Sequence, residues 1–469
     1  MLKKRELVKN ISVAFVAQGV AMLVSVAQTL IVPKILGVEQ FAYWQLFIFY
    51  IGYVGFFHFG LCSGVYLKMG GKTKEEFDKG STKSQFIFGL SYQAIMAAVI
   101  VVVSFGLEDG QRSFVFMQTA MYLVLANACT YLMNVMQCMN EIKESSFSMV
   151  LGRLSYFVPL MIMIMLGVKN FEPYVVAYTG SMSVQLVYCL WKLRDFVSAP
   201  WIGLRRAARE SLSSIKVGIN LTIANIASTL ILGVSRFFID VIWGIEAFGK
   251  LSLMFSIVSF SLLFVNQAGI VLFPALRKCD DSESATFYAS LRSFLGLALP
   301  LIYLLYFPLK LFFSAWLPAY ADALPYLALL LPICVFDGMM SVTGNTYLQV
   351  YRKERLLSKI NIIAALISTA ISAIGGFYLD SIQVVLLGPS MAIAIRSIYS
   401  EGVISKQLHL RFNVYAVWMV LLTCVFILIV NVFDDGIAFL VFAILYAIYL
   451  LIHSETAIRV VNQIRNVFK

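Results

Sequence analysis

Apolar runs of about 20 residues, separated by short polar stretches, recur from one end of the 469-residue chain to the other. A helix needs about 20 apolar residues to cross the hydrocarbon core of a bilayer. Strict polar/apolar alternation, the mark of barrel strands, is absent, so each run predicts a membrane-spanning helix. Fourteen spans are expected, at about 11–32, 41–66, 84–106, 113–139, 145–168, 172–191, 215–235, 248–273, 291–313, 323–350, 359–379, 382–405, 414–432 and 436–458. The pattern predicts an all-α integral membrane protein. The first run is too long for a cleaved signal peptide and lacks a clear small-residue cleavage site, so it is read as the first anchor. The longest hydrophilic stretch, 192–216, contains Pro200, Trp201, Arg205, Arg206 and Arg209 and is read as a short surface helix between two lobes.

Superimposed on the spans is a repeat. Gly37-Val38-Glu39-Gln40-Phe41 returns as Gly244-Ile245-Glu246-Ala247-Phe248 after 207 residues. Charged loops at 68–83 and 277–292 come after the two copies, and the stretches 137–146 and 349–358 correspond with a shift of 212. Two similar halves of six spans each imply parallel repeats related by an axis along the membrane normal. Such an architecture is typical of carriers. The expected division is 1–200 for an N-lobe, 201–405 for a C-lobe, and 406–469 for two extra spans and a tail.

Composition agrees. The chain is 60% hydrophobic and 13% charged, about half the charged share of a soluble protein. With the N-terminus inside, 28 of the 36 lysines and arginines fall in inner loops and tails and six in outer loops. This bias places both termini in the cytoplasm of a cell-membrane protein. The net charge of +11 then results from topology and anionic inner-leaflet lipid rather than from nucleic-acid binding. All six tryptophans lie near span ends, and the seven cysteines show neither metal spacing nor extracellular pairing, so they read as packing residues. No complete phosphate-binding Gly-x-x-x-x-Gly-Lys-Ser/Thr loop is present, which argues against nucleotide hydrolysis. No outer loop is long enough for a catalytic domain, which argues against a membrane glycosyltransferase or polymerase. The expectation is a protein that is not an enzyme and carries no cofactor or metal.

The run Asn10 to Gln18, the segment Pro33 to Phe41, Phe59-Gly60-Leu61 and Ser235-Arg236-Phe237-Phe238-Ile239-Asp240 resemble bacterial Wzx-type polysaccharide flippases. These belong to the multidrug/oligosaccharidyl-lipid/polysaccharide (MOP) superfamily. The resemblance implies two six-helix lobes around a central cavity that opens alternately to each side. It implies movement of undecaprenyl-pyrophosphate-linked oligosaccharide from the inner to the outer leaflet. Membrane lipids, a polysaccharide polymerase and glycosyltransferases are the partners it suggests. Similarity to the lipid II flippases is lower, because residues 11–32 carry no charge. A rival within the superfamily is a cation-coupled multidrug exporter, which would favour acids and aromatics over arginines.

Several polar residues stand inside the spans. Arg153 and Arg396 lie roughly 12 Å and 8–14 Å from the inner surface at 1.5 Å per residue. Facing lipid they would cost a few kcal/mol. One reading aims them at a pyrophosphate; the other lets them snorkel to headgroups. Lys34, beside Pro33, is a further pyrophosphate candidate or a plain interfacial lysine. Arg236 and Asp240, four apart on one helix face, are candidates for an outer gate or an inconsequential pair. Asp337 is the deepest acid and a candidate for coupling to a proton or sodium gradient; its alternative is an acid satisfied by hydroxyls or by an arginine. Membrane potential acting on an anionic substrate is another drive. His58 is a second coupling candidate or a satisfied core histidine. The amides Asn127, Asn134, Asn220, Asn225, Asn266, Asn345, Gln18, Gln28, Gln137, Gln185 and Gln267 suit sugar hydroxyls or helix–helix glue.

Overall fold

The computed structural model describes residue 19 and residues 22–70, 77–276, 281–411 and 413–455. Gln18, Cys279, the loop residues 71–76 and the tail from 456 lie outside these, as do the side chains of Asn266 and Gln267. Among the described residues all regular structure is helical, and eleven stretches are long and apolar enough to cross a membrane. Two of them, Met22–His58 and Leu204–Leu263, each cover described parts of two of the expected spans. The helix Glu172–Lys192 forms span six, so among the described residues each expected span has a helical counterpart over at least part of its length.

The two double stretches are broken at the repeated motif. Gly37 has φ 71° and ψ −178°, and Gly244 has φ 81° and ψ −176°. That region is essentially restricted to glycine. Nothing lies within 4 Å of where a Cβ would stand at either position, so glycine is required by conformation rather than by space. Four residues on, Phe41 and Phe248 are both buried. The sequence repeat is therefore a repeated device: a glycine that breaks the helix and a phenylalanine that anchors the next helical segment.

By packing, the chain divides into residues 1–229 and 230–469. The division falls inside the helix Leu204–Leu276. The reason is a backbone contact within the first unit. A Cβ on Gly64 would sit 1.8 Å from the Ser214 carbonyl oxygen, and one on Gly218 would sit 2.1 Å from that of Gly60. Gly60 and Gly64 thus meet Ser214 and Gly218 as two small-xxx-small pairs, a pattern that lets membrane helices touch through their backbones. One turn beyond, Lys68 donates to Ser213 Oγ at 3.1 Å and pairs with Glu210 at 3.7 Å.

Span two is interrupted ahead of this crossing. A 3-10 turn at Val54–His58 leads into Phe59 and Gly60, both left-handed. Side chains of neighbouring helices add bonds to carbonyls in and beside this break, where lipid offers none. Asn127 Nδ2 donates to Val54 O at 3.0 Å, Tyr92 OH to His58 O at 3.0 Å, and Asn134 Nδ2 to Cys62 O at 3.1 Å. In the second unit, Pro300 interrupts span nine, which continues as the 3-10 segment Leu299–Leu305. Proline has no N–H, so the carbonyl four residues earlier loses its helical partner. Tyr449 OH donates to that carbonyl, Gly296 O, at 3.0 Å, and Tyr446 OH to Leu297 O at 2.7 Å. Span fourteen, outside the repeat, is held to the second unit partly by repairing this kink.

Candidate functional site

Buried charge concentrates in the second unit, along the helix Ile382–Gln407. Arg396 is 4% exposed. Its Nη2 is ion-paired with Asp337 Oδ1 of span ten, and its Nη1 donates to Asn361 Oδ1 of span eleven at 3.3 Å. The two residues assigned separate roles from sequence, anion binding and ion coupling, are therefore one pair joining three helices. Asp337 lies three residues before the π-helical segment Met340–Asn345. Such one-turn expansions loosen a helix locally and are frequent at functional sites. Asp337 is half-buried while its partner is enclosed, with side-chain exposures of 24% and 3%. The carboxylate is the accessible member.

A second pair lies further along the same helix. Glu401 Oε1 accepts from Arg292 Nη1 at 2.9 Å and from Ser405 Oγ at 2.7 Å. Arg292 also reaches Ser405 Oγ at 2.8 Å and the Arg411 carbonyl at 3.1 Å. Both side chains are buried. Sequence reasoning misses this pair: Arg292 falls at the edge of a charged loop, and Glu401 sits inconspicuously near the end of a span. The available signal is an acid inside an apolar run.

The remaining candidates are distributed more widely. Arg236 is half-buried, donates to Ser252 Oγ at 2.9 Å and lies over Phe248 and Phe255 at 5.1 and 5.8 Å. It therefore ties together the helices on either side of the Gly244 break, a placement suited to cation–π attraction. Asp240, one turn on, is buried. In the first unit, Lys34 is exposed and comes directly after the buried Pro33. His58 is buried; its Nδ1 accepts from Gly60 N–H at 2.9 Å, so the ring closes the left-handed turn in span two.

Arg153 is half-buried on the helix Ile142–Met165, within electrostatic reach of Tyr178. Tyr178 is the hub of an aromatic cluster, with ring centroids 4.8 Å from Tyr156, 5.8 Å from Trp44 and Tyr122, and 5.9 Å from Phe47. Gln28 Nε2 donates to Tyr156 OH at 3.2 Å. Arginine, an amide and tyrosine hydroxyls among aromatic faces can hold both phosphate and sugar groups.

The repeat permits a comparison of the two units. Gln185 on span six precedes Arg396 on span twelve by 211 residues, close to the repeat shift. Gln185 lies against Gly152 of span five, with Oε1 2.6 Å from where a Cβ would stand, and its Nε2 donates to Met133 Sδ of span four at 3.1 Å. The seam joining three helices is thus neutral in the first unit and charged in the second.

Eleven long apolar helical stretches among the described residues, a repeated glycine break and polar seams buried inside each unit define a multi-pass α-helical membrane protein with the fold of the MOP superfamily. The model of the family described as polysaccharide biosynthesis protein matches residues 7–279, more than half of the chain, and the chain belongs to that family. Among solved structures it is similar to the lipid II flippase MurJ in an inward closed conformation, with TM-score 0.62, 13% identity, and coverage of 96% of this chain and 99% of that one. It is also similar to an inward-facing multidrug resistance MATE family transporter, with TM-score 0.61, 14% identity, and coverage of 85% and 94%. No curated protein matches the sequence.

Proposed function

We propose that the chain is a flippase of the bacterial cytoplasmic membrane, with both termini cytoplasmic. It moves undecaprenyl-pyrophosphate-linked oligosaccharide units from the inner to the outer leaflet by alternating access. The observation that carries this reading is membership of the polysaccharide biosynthesis family by a chain that buries cationic groups inside its spans. A pyrophosphate with several sugars cannot cross hydrocarbon unaided, since each unpaired polar group there costs several kcal/mol. Guanidinium groups suit its paired anionic oxygens. Arg153, Arg396 and Lys34 are assigned to the pyrophosphate, and Arg236 and Asp240 to the outer gate.

The Asp337–Arg396 pair supports a specific coupling. One guanidinium serves either a carboxylate or a phosphate. Neutralising Asp337 with a proton, or drawing it to a sodium ion, leaves Arg396 a buried cation held by neutral acceptors such as Asn361. The incoming pyrophosphate then supplies the missing negative charge. Membrane potential, negative inside, adds about 2.3 kcal/mol per charge per 100 mV in favour of outward movement of the anion.

The test uses purified protein in vesicles carrying a fluorescent polyprenyl-pyrophosphoryl sugar in one leaflet. Protein-dependent appearance of the label in the other leaflet, lost in the Arg153→Ala/Arg396→Ala double variant, is the expected result. No transfer of the headgroup, together with efflux of a small cationic dye, would overturn the reading in favour of a cation-coupled exporter.

A further inference from the structure

Between the two ion pairs of the second unit lies a small cleft lined by Ser397, Glu401 and Asn413, with Phe336, Met339 and Met419. The space open to the centre of a water molecule is about 10 Å³, roughly what one water requires. Its polar lining is incomplete in a defined way. Asn413 is 1% exposed. Its Oδ1 caps the helix Val414–Val432 by accepting from Tyr415 N–H at 3.1 Å. That bond fixes the orientation of the amide, and Nδ2 is left buried with no acceptor among the described residues. Glu401 directs Oε1 to Arg292 and Ser405, while Oε2 takes no hydrogen bond from a described residue. A buried donor and a carboxylate oxygen thus line a space of one water's size, and a water satisfies both, accepting from one and donating to the other.

We propose that this cleft is a built hydration site at which Glu401 exchanges a proton with the aqueous phase beside the loop joining spans twelve and thirteen. The step is a simple transfer. Hydronium gives its proton to Oε2, an O–H bond forms on Glu401, and water remains in the cleft. The Arg292–Glu401 pair passes from neutral to singly positive. The tie between spans nine and twelve is then reduced to the bonds of Arg292 to Ser405 and the Arg411 carbonyl. The charged and titratable groups on the elements around Glu401 include Arg292 and Tyr288 of span nine, Cys334, Asp337 and Tyr347 of span ten, His409 and Arg411 of the adjoining loop, Tyr415 and Cys424 of span thirteen, and Arg396, Tyr399 and Lys406 on its own helix. Glu401 is thereby a second ionisable acid held by the second unit, one helix away from Asp337, whose partner Arg396 shares Glu401's helix. This deepens the coupling part of the proposed function, but the site itself needs no substrate.

The experiment therefore omits substrate, so its outcome is independent of whether the chain is a flippase. Infrared difference spectra are recorded on acidifying the intact protein in lipid nanodiscs, with heavy-carbon-labelled glutamate to separate Glu from Asp. A glutamic-acid carbonyl band is expected that Glu401→Gln removes, Asn413→Ala shifts and Asp337→Asn retains. Should the Gln variant fail to fold, Glu401→Asp in protein labelled on aspartate must show a new labelled band. No band dependent on residue 401 would mean a permanently ionised structural pair and end the proposal. A band unmoved by Asn413→Ala would remove the shared water and end it equally.

Discussion

At the residue scale, the two members of the Asp337–Arg396 pair are unequal. Removing a partner from a buried pair leaves an uncompensated charge, at a cost of about 3–5 kcal/mol. Arg396 is enclosed and Asp337 is about one quarter exposed, so water reaches an orphaned Asp337 more readily than an orphaned Arg396. Asp337→Leu is therefore expected to lower stability by about 3–5 kcal/mol, and Arg396→Leu by about 1–3 kcal/mol. The double leucine variant should regain most of the loss, since apolar replacements of buried pairs are often neutral. Thermal unfolding in one detergent measures all three; equal losses in the single variants would contradict the argument. Transport separates from stability, because the double variant folds but lacks both the anion site and the switch. Arg153→Ala is predicted to leave unfolding within about 1 kcal/mol of the parent while reducing headgroup transfer at least tenfold in the vesicle assay.

At the element scale, the spans are governed by their interruptions. The Pro300 kink is repaired by two tyrosine hydroxyls, and each such bond contributes about 0.5–1.5 kcal/mol. Tyr449→Phe is predicted to destabilise by about that amount, and more than Trp418→Phe, whose parent ring lies tilted at 5.4 Å from Tyr449 without holding a freed carbonyl. The crossing of spans two and seven is stricter. Gly64→Leu cannot be absorbed by a rotamer change, because the atom it meets is backbone. It should prevent correct packing of residues 204–229 in the first unit, read as loss of a monodisperse peak in size-exclusion chromatography. Normal elution and stability of that variant would show that the contact is not formed.

At the scale of the whole molecule, much of the architecture is legible from residues alone. Span length and apolar content are local properties, so fourteen helices can be placed, and Gly37 and Gly244 announce their shared role through a motif with only one residue type suited to the backbone. The amides divide in a way no single span could reveal. Asn127 and Asn134 bond carbonyls on either side of a break in another helix, Gln28 joins an aromatic cluster, and Asn361, which hydropathy does not single out, holds Arg396. Pairing is the hidden part. Arg292 and Glu401 stand 109 residues apart, and hydropathy carries no information on who meets whom. Arg396 and Asp337 both stand out in the sequence yet attract separate duties for the same reason. The expected topology has its own test. Single cysteines near residue 108 should react with an impermeant thiol reagent from outside, and cysteines at 78–80 only from inside; the reverse pattern would sink the assignment of both termini to the cytoplasm.

The crossing at Gly60, Gly64, Ser214 and Gly218 has a consequence for conformational entropy. Ordering a long side chain at a helix contact costs up to about 2 kcal/mol in lost rotamers, whereas glycine has none to lose. In a bilayer no hydrophobic force draws helices together, so whatever attraction the touching backbones provide is retained nearly undiminished. The joint between spans two and seven is thus assembled from residues with almost no freedom of their own. It is predicted to keep its protection from amide hydrogen exchange as temperature rises, after neighbouring contacts made by leucine and methionine have begun to open.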